Sequence, residues 1–449
     1  MVLNPIRGKA IADRKSSSGM IVEKSLDAKL RSIHADPQGS RDFIIADAKD
    51  ADMAFGMSAT GVVRKGGSPE EHPGELRYKT LAEYRDQIRQ VIGQGIVDIV
   101  LMSASTCDQL AIQEGLFENS PITPAARAND ATDVHLPRGG RVHTEPARPF
   151  RTASIDHMQC GRLDCSVDAR KIGANLGLYS VTFNNDQTHD LETLQRYKEF
   201  REEAERKGFR HFLEVFDPNR PEAVSSEHLP GFINDLIART LAGVAQAGRP
   251  VFLKIVYHGP KAMEELVSYD PHLVVGVLGG ASGTTLDAFQ LLHQSQKYGG
   301  RAALFGRKIN SAENQLAFIE FLRHIADGVI QPEEAVRAYH SVLQKLGIPP
   351  HRPLEQDLTL QTNVMSYGGS GVTISIPAVV APLETGRPAV KPDTGPTSTP
   401  APAATSTSGS NAATTAVSTS PSGNPDFARM SPEERLRYHR ERLKLTFGE

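Results

Sequence analysis

The sequence predicts an α/β fold, a (β/α)8 barrel over residues 41–380, and three observations carry that expectation. Apolar runs of β-type composition alternate with amphipathic helical stretches, giving eight units between residues 40 and 350. Most of these runs are continuously apolar, as strands buried on both faces are. No glycine-rich dinucleotide turn follows the first run, which disfavours a doubly wound open sheet.

In chain order the expected strands are Phe43–Ala48, Val97–Ser103, Ile122–Arg127, Leu176–Phe183, His211–Phe216, Val251–Tyr257, Leu273–Leu278 and Ala302–Phe305. Helical periodicity lies between them at Leu81–Ile92, Asp190–Lys207, Leu229–Ala247 and Leu286–Tyr298. Residues 120–172 are rich in Pro, Arg and Gly and read as an insertion over the barrel mouth. Residues 1–40 are expected to form an N-terminal extension, since the first stretch is basic and polar and lacks an apolar signal core. Residues 381–425 are dominated by Thr, Ser, Pro, Ala and Gly, too apolar-poor to offset ordering entropy, and predict a disordered linker. Beyond it, 426–449 predict a short basic helix, with Ser431 as N-cap, Pro432 in the first turn and Glu434 completing a capping box.

The formal net charge of −3 supplies no basic field for nucleic acid or an anionic membrane surface, and no apolar run approaches the ~18 residues of a membrane span. Cys107, Cys160 and Cys165 make an odd count that fits a reducing compartment, so the cytoplasm is expected. The segment from Asp156 and His157 through Cys160 to Asp164 and Cys165 lacks tetrahedral metal spacing. Free loop thiols are the expectation there, with no metal and no cofactor. Cys107 has no clear His partner and reads as core packing.

In a barrel the active site lies at the C-terminal strand ends, so polar residues there are candidates. Lys254 interrupts the apolar sixth strand, where burial disfavours a charged amine and a neutral one can attack a carbonyl. The structural alternative is a buried ion pair with Glu214 or Asp47. Glu214 interrupts the fifth strand and suits a proton shuttle or a structural counter-ion. Asp47 and Lys49 share one face of the first strand by period-two alternation. Further strand-end residues are Asp50, Arg127, Asn129, Asp130, Asn184, Asn185, Asp186, Asp217, Tyr257 and His258. The run Gly279-Gly280 to Gly283 after strand seven and Gly306-Arg307-Lys308 after strand eight suggest an anion site, because barrels often seat phosphate at the last two loops.

With those residues placed, the chain resembles the class I, Schiff-base aldolases of the DeoC/FbaB type, remotely like tagatose-1,6-bisphosphate aldolase and the archaeal-type fructose-bisphosphate aldolases. The resemblance spans about residues 40–330 in short ordered motifs: Asp47 ending strand one, Phe212-Leu-Glu214, Phe252-Leu-Lys254-Ile-Val, Gly279-Gly280 and Gly306-Arg307. Strand one departs from the family's Asp-His-Gly or Asp-Gln-Arg and reads Asp47-Ala-Lys49-Asp50, and Lys308 replaces the common Asn. The resemblance implies a lyase that forms a Schiff base through Lys254 with a phosphorylated ketose or related sugar. Glu214 and Asp47 would move protons, Lys49 would orient the substrate, and Arg307 with Gly279, Gly280 and Gly306 would hold the phosphate. A small phosphorylated carbohydrate is then the expected ligand and a homo-oligomer the expected assembly, with no nucleic acid or membrane partner. The alternative is a non-catalytic or regulatory barrel that binds a phosphorylated metabolite, with the C-terminal helix docking a protein partner.

Overall fold

Eight parallel strands close on themselves: β1 (Ile44–Lys49), β2 (Ile99–Met102), β3 (Thr123–Arg127), β4 (Leu176–Thr182), β5 (Arg210–Phe216), β6 (Leu253–Ile255), β7 (Val275–Gly279) and β8 (Ala302–Phe305). Each pairs with its neighbours in sequence, and β1 closes the barrel against β8, with Ile44 opposite Ala302. The computed structural model describes residues 22–361 except 64–76, 136, 138–139, 221 and 281–282. The expected linker at 381–425 and basic helix at 426–449 lie outside the described residues.

All eight expected apolar runs are strands of the barrel, and β6 is the most shortened, to three residues. Alternate residues of the strands form the inner layer. Ile44, Ala46 and Ala48 of β1 meet Ile99 and Leu101, Ala125, Leu176 and Leu178, Phe212, Phe252, Val274, Ala302 and Leu304. Phe212 and Phe252 stack with ring centroids 4.5 Å apart, filling the interior below the mouth. The helix Ser25–Ala35 adds Leu26, Leu30 and Ile33 to this cluster. It caps the N-terminal end of the barrel: its Ser25 N–H donates to the Pro121 carbonyl at 2.9 Å, and Lys29 pairs with Asp98 at 2.8 Å. The C-terminal end is therefore the open one.

The outer helices start where local chemistry satisfies their free N–H groups. Thr80 and Glu83 form a capping box for Leu81–Gln94, and Thr284 with Asp287 does so for Thr285–Lys297. Asp186 caps Gln187–Arg206. The expected helix at 229–247 ends earlier, at Ala242, before Gly243.

The long segment after β3 begins only beyond Arg127, because residues 123–127, inside the expected insertion, are barrel strand. It carries a hairpin pairing Asp130–Ala131 with Pro149–Phe150, then the helix Ile155–Cys160. Asn219, just beyond β5, donates to the Glu145 carbonyl at 2.7 Å and accepts from the Ala147 N–H at 3.2 Å, tying this segment to the mouth. The expected free thiols are corrected here: Cys160 and Cys165 form a disulfide. The helix stops at Gly161 in a left-handed turn, and the reversal brings the two Cα atoms within 6.2 Å, which spacing alone does not reveal. Cys107 is fully buried, and burial pushes its thiol up to about 12. Among the described residues, no helix is long and apolar enough to cross a membrane.

Candidate active site

Lys254 shares its strand face with Phe252, so it points inward, one layer above the stacked phenylalanines. The β5–β6 register sets Lys254 beside Glu214, and the Lys254 Nζ is ion-paired to Glu214 Oε1. Ser180 is beside Glu214 on β4 and donates its Oγ–H to Glu214 Oε2 at 2.7 Å. Arg127 at the end of β3 continues the ribbon. Its Nη2 donates to Ser180 Oγ at 3.3 Å, its Nη1 to Asp50 Oδ2 at 2.7 Å and its Nε to Asp130 Oδ1 at 2.8 Å.

Side chains from β1's end, β3, β4, β5 and β6 thus form one connected polar surface at the mouth. Lys254 is 5% exposed, Glu214 is sealed and Arg127 is 1% exposed. Charges this deeply buried need partners, and each has them. Asn129 extends the β3–β4 ladder by mimicking a strand. It donates to the Ser180 carbonyl at 2.8 Å and accepts from the Ser180 N–H at 2.6 Å, which fixes the serine that addresses Glu214. Asp133, from the segment folded over the mouth, accepts from Thr182 Oγ1 at 2.9 Å. Burial pushes its carboxyl up to about 6. At the open ends of β5 and β6, Asp217 Oδ1 and His258 Nε2 lie 2.8 Å apart.

Two of the sequence candidates fall elsewhere. Asp47 and Lys49 do share a face, but Ala46 and Ala48 hold the interior positions, so that face is the outer one. Lys49 Nζ lies 3.5 Å from Asp47 Oδ2 and donates to Gln315 Oε1 at 3.3 Å. Gln315 in turn donates to the Gln87 carbonyl at 2.9 Å. The pair is therefore buried between the helices Leu81–Gln94 and Gln315–Ala326, not beside Lys254. Burial pushes the Asp47 carboxyl up to about 6 and draws the Lys49 amine down. The carboxylate that β1 does send to the mouth is Asp50.

The glycines have steric reasons for being glycine. A Cβ on Gly279 would stand 2.0 Å from the Phe305 ring, and one on Gly306 would stand 2.7 Å from the Ala48 carbonyl oxygen. Gly280 follows directly and is buried. The Arg307 guanidinium stacks 4.9 Å over the Phe55 ring. It lines a cavity of about 580 Å³ with Lys79, Asn310 and His351, and neither Lys254 nor Glu214 lines that cavity. Lys308 donates to the Gly283 carbonyl at 2.6 Å, and burial draws its amine down to about 8. Among the described residues no group of three or more His, Cys, Asp or Glu is placed to hold a metal ion.

Ser180 is a residue of this polar cluster that sequence reasoning passed over, and Thr182 and Asp133 were not expected to meet there. Inward parity with Leu176 and Leu178 is the signal that marks Ser180 and Thr182. Arg127, Asn129, Asp130 and Asp50 were visible as strand-end polar residues, but nothing in the sequence joined them to Lys254.

No family model matches the chain, and no curated protein does. Among solved structures, an archaeal fructose 1,6-bisphosphate aldolase is similar at 14% identity and a TM-score of 0.46, over 67% of this chain and 99% of that one. A fructose-bisphosphate aldolase from Slackia heliotrinireducens is similar at 13% identity and a TM-score of 0.48, over 73% and 95%. A triosephosphate isomerase from Bartonella henselae is similar at 14% identity and a TM-score of 0.34, over 63% and 99%.

Proposed function

We propose that the protein is a class I, aldolase-like lyase that forms a Schiff base through Lys254 with a phosphorylated ketose or related sugar. The observation that carries this reading is the inward-facing, buried Lys254–Glu214 pair at the open end of the barrel. Lys254 passes a proton to Glu214, and the neutral amine attacks the ketone carbon to give a carbinolamine. Glu214 returns the proton to the departing hydroxyl, which leaves as water, and the iminium remains. The iminium draws electrons from the bond between the next two carbons: that bond breaks, a hydroxyl proton leaves the far fragment as it becomes an aldehyde, and the near fragment is held as an enamine. Protonation of the enamine carbon and hydrolysis release the ketone product.

Ser180 and Arg127 keep Glu214 in place during this cycle. In this reading Arg307, with backbone N–H groups near Gly279, Gly280 and Gly306, receives the phosphate. Asp47 and Lys49 hold the outer wall and take no chemical step. A homo-oligomer belongs to the same proposal.

The test is borohydride reduction in the presence of dihydroxyacetone phosphate and a panel of ketose phosphates, followed by mass spectrometry. An adduct on Lys254 is the expected result. Absence of any adduct across the panel contradicts the reading and favours a ligand-binding barrel in which the ion pair is structural. In that case Lys254→Met leaves ligand binding intact.

A further inference from the structure

Besides protonation of the enamine carbon, the reaction proposed above requires proton transfers at two substrate oxygens. One occurs at the imine carbon, where a hydroxyl leaves as water. The other occurs two carbons along, where a hydroxyl proton must depart as the carbon–carbon bond breaks. Glu214 serves the first position, held by Ser180 on one oxygen and Lys254 on the other. A carboxylate anchored this way at the barrel interior is not free to follow the substrate outward.

We propose that Asp217 and His258 form the second acid–base group of this mouth. His258 accepts the hydroxyl proton at cleavage and returns a proton in the reverse direction, and Asp217 positions it. The assignment rests on the lyase reading and deepens it. Placement is the first argument. β5 carries Glu214 and ends at Phe216, one residue before Asp217; β6 carries Lys254 and ends at Ile255, three residues before His258. Both Asp217 and His258 therefore follow the C-terminal ends of their strands, the end of a barrel at which active-site groups stand.

The chemistry of the pair is the second argument. The His258 side chain is 2% exposed and Asp217 11%, so the contact is held away from bulk water. Nε2 lies 2.8 Å from Asp217 Oδ1, which fixes the tautomer with Nε2–H donating to the carboxylate. Nδ1 then carries the lone pair, and it has no hydrogen-bond partner among the described residues. An imidazole oriented by a carboxylate, with its other nitrogen unpaired, is the arrangement of a general base that becomes a general acid on the return step. The competing explanation is a tie that holds two strand-end loops together.

The experiment measures Lys254 adduct formation, ketose cleavage and thermal melting on the full chain, using the ketose phosphate that traps best with the wild-type protein. For His258→Gln, cleavage should fall at least ~100-fold while borohydride trapping and the melting temperature stay near wild type. Asp217→Asn, which favours the wrong tautomer, should lower kcat with KM little changed, and Asp217→Glu should restore part of it. The assignment is overturned if His258→Gln cleaves within a few-fold of wild type. It is also overturned if trapping and melting fall together with cleavage, the mark of a structural tie. No adduct in the wild-type protein sinks the lyase reading and this assignment with it, whereas wild-type trapping with unimpaired cleavage by His258→Gln sinks the assignment alone.

Discussion

The barrel buries two lysine–carboxylate pairs, and their surroundings set them apart. Lys254 and Glu214 come from adjacent strands and face the interior; Lys49 and Asp47 come from one strand and face the helices. Around the first pair lie Ser180, Arg127, Asp50 and Asp130, all polar and all linked. Around the second lie two packed helices and one glutamine. Lys254 keeps 5% exposure at the open end, whereas Lys49 keeps none. A buried lysine alone is therefore not a functional signal. On the proposed reading, what separates a reactive amine from a structural one is the barrel face it occupies and the access that face gives to a substrate.

Substitutions at the two pairs and around them test this contrast. The largest effect is expected for Lys254→Met, which should remove the borohydride adduct and lower turnover by at least ~1,000-fold, while Lys49→Met should keep both and lower only the melting temperature. Comparable turnover losses in the two variants would erase the distinction. Next, Arg127→Ala leaves the Asp50 and Asp130 carboxylates buried without their cation, so denaturant unfolding should show a loss of about 3–5 kcal/mol.

A smaller effect belongs to Asp133, whose folded-state value of about 6 lies above the ordinary 3.8. Folding thus binds its proton more tightly. That stabilisation is present at low pH and is lost as pH rises through about 6. Asp133→Asn should therefore gain stability over wild type at pH 8, on the order of 1–3 kcal/mol, and the gain should vanish below about pH 4. A gain independent of pH would show that the carboxyl is not the cause. Of similar size is the effect of Cys160→Ser. Its bond to Cys165 closes a loop with a sequence separation of 5, so its loss should cost about 2 kcal/mol by loop entropy, matched by reduction of the wild type.

The strands were legible because continuous apolar runs such as Ile99–Met102 have few other uses in a chain of this composition. Lys254 and Glu214 were legible because each interrupts such a run. The side of β1 was not legible. A barrel strand is buried on both faces, so Ala46 and Ala48 look no more interior than Asp47 and Lys49 until the barrel closes. Arg127 joins Asp50 and Ser180 across 77 and 53 residues, a link that register creates and sequence spacing does not. The Cys160–Cys165 bond depends on one left-handed turn at Gly161, which composition does not reveal.

The most direct test of the account assigns the trapped amine within a single sample. The protein is reduced with borohydride alongside the panel of ketose phosphates, and the peptides containing Lys49 and Lys254 are quantified together by mass spectrometry. The account predicts the substrate-derived mass on Lys254 and none on Lys49. Modification of Lys49, or of neither lysine with any member of the panel, would contradict it.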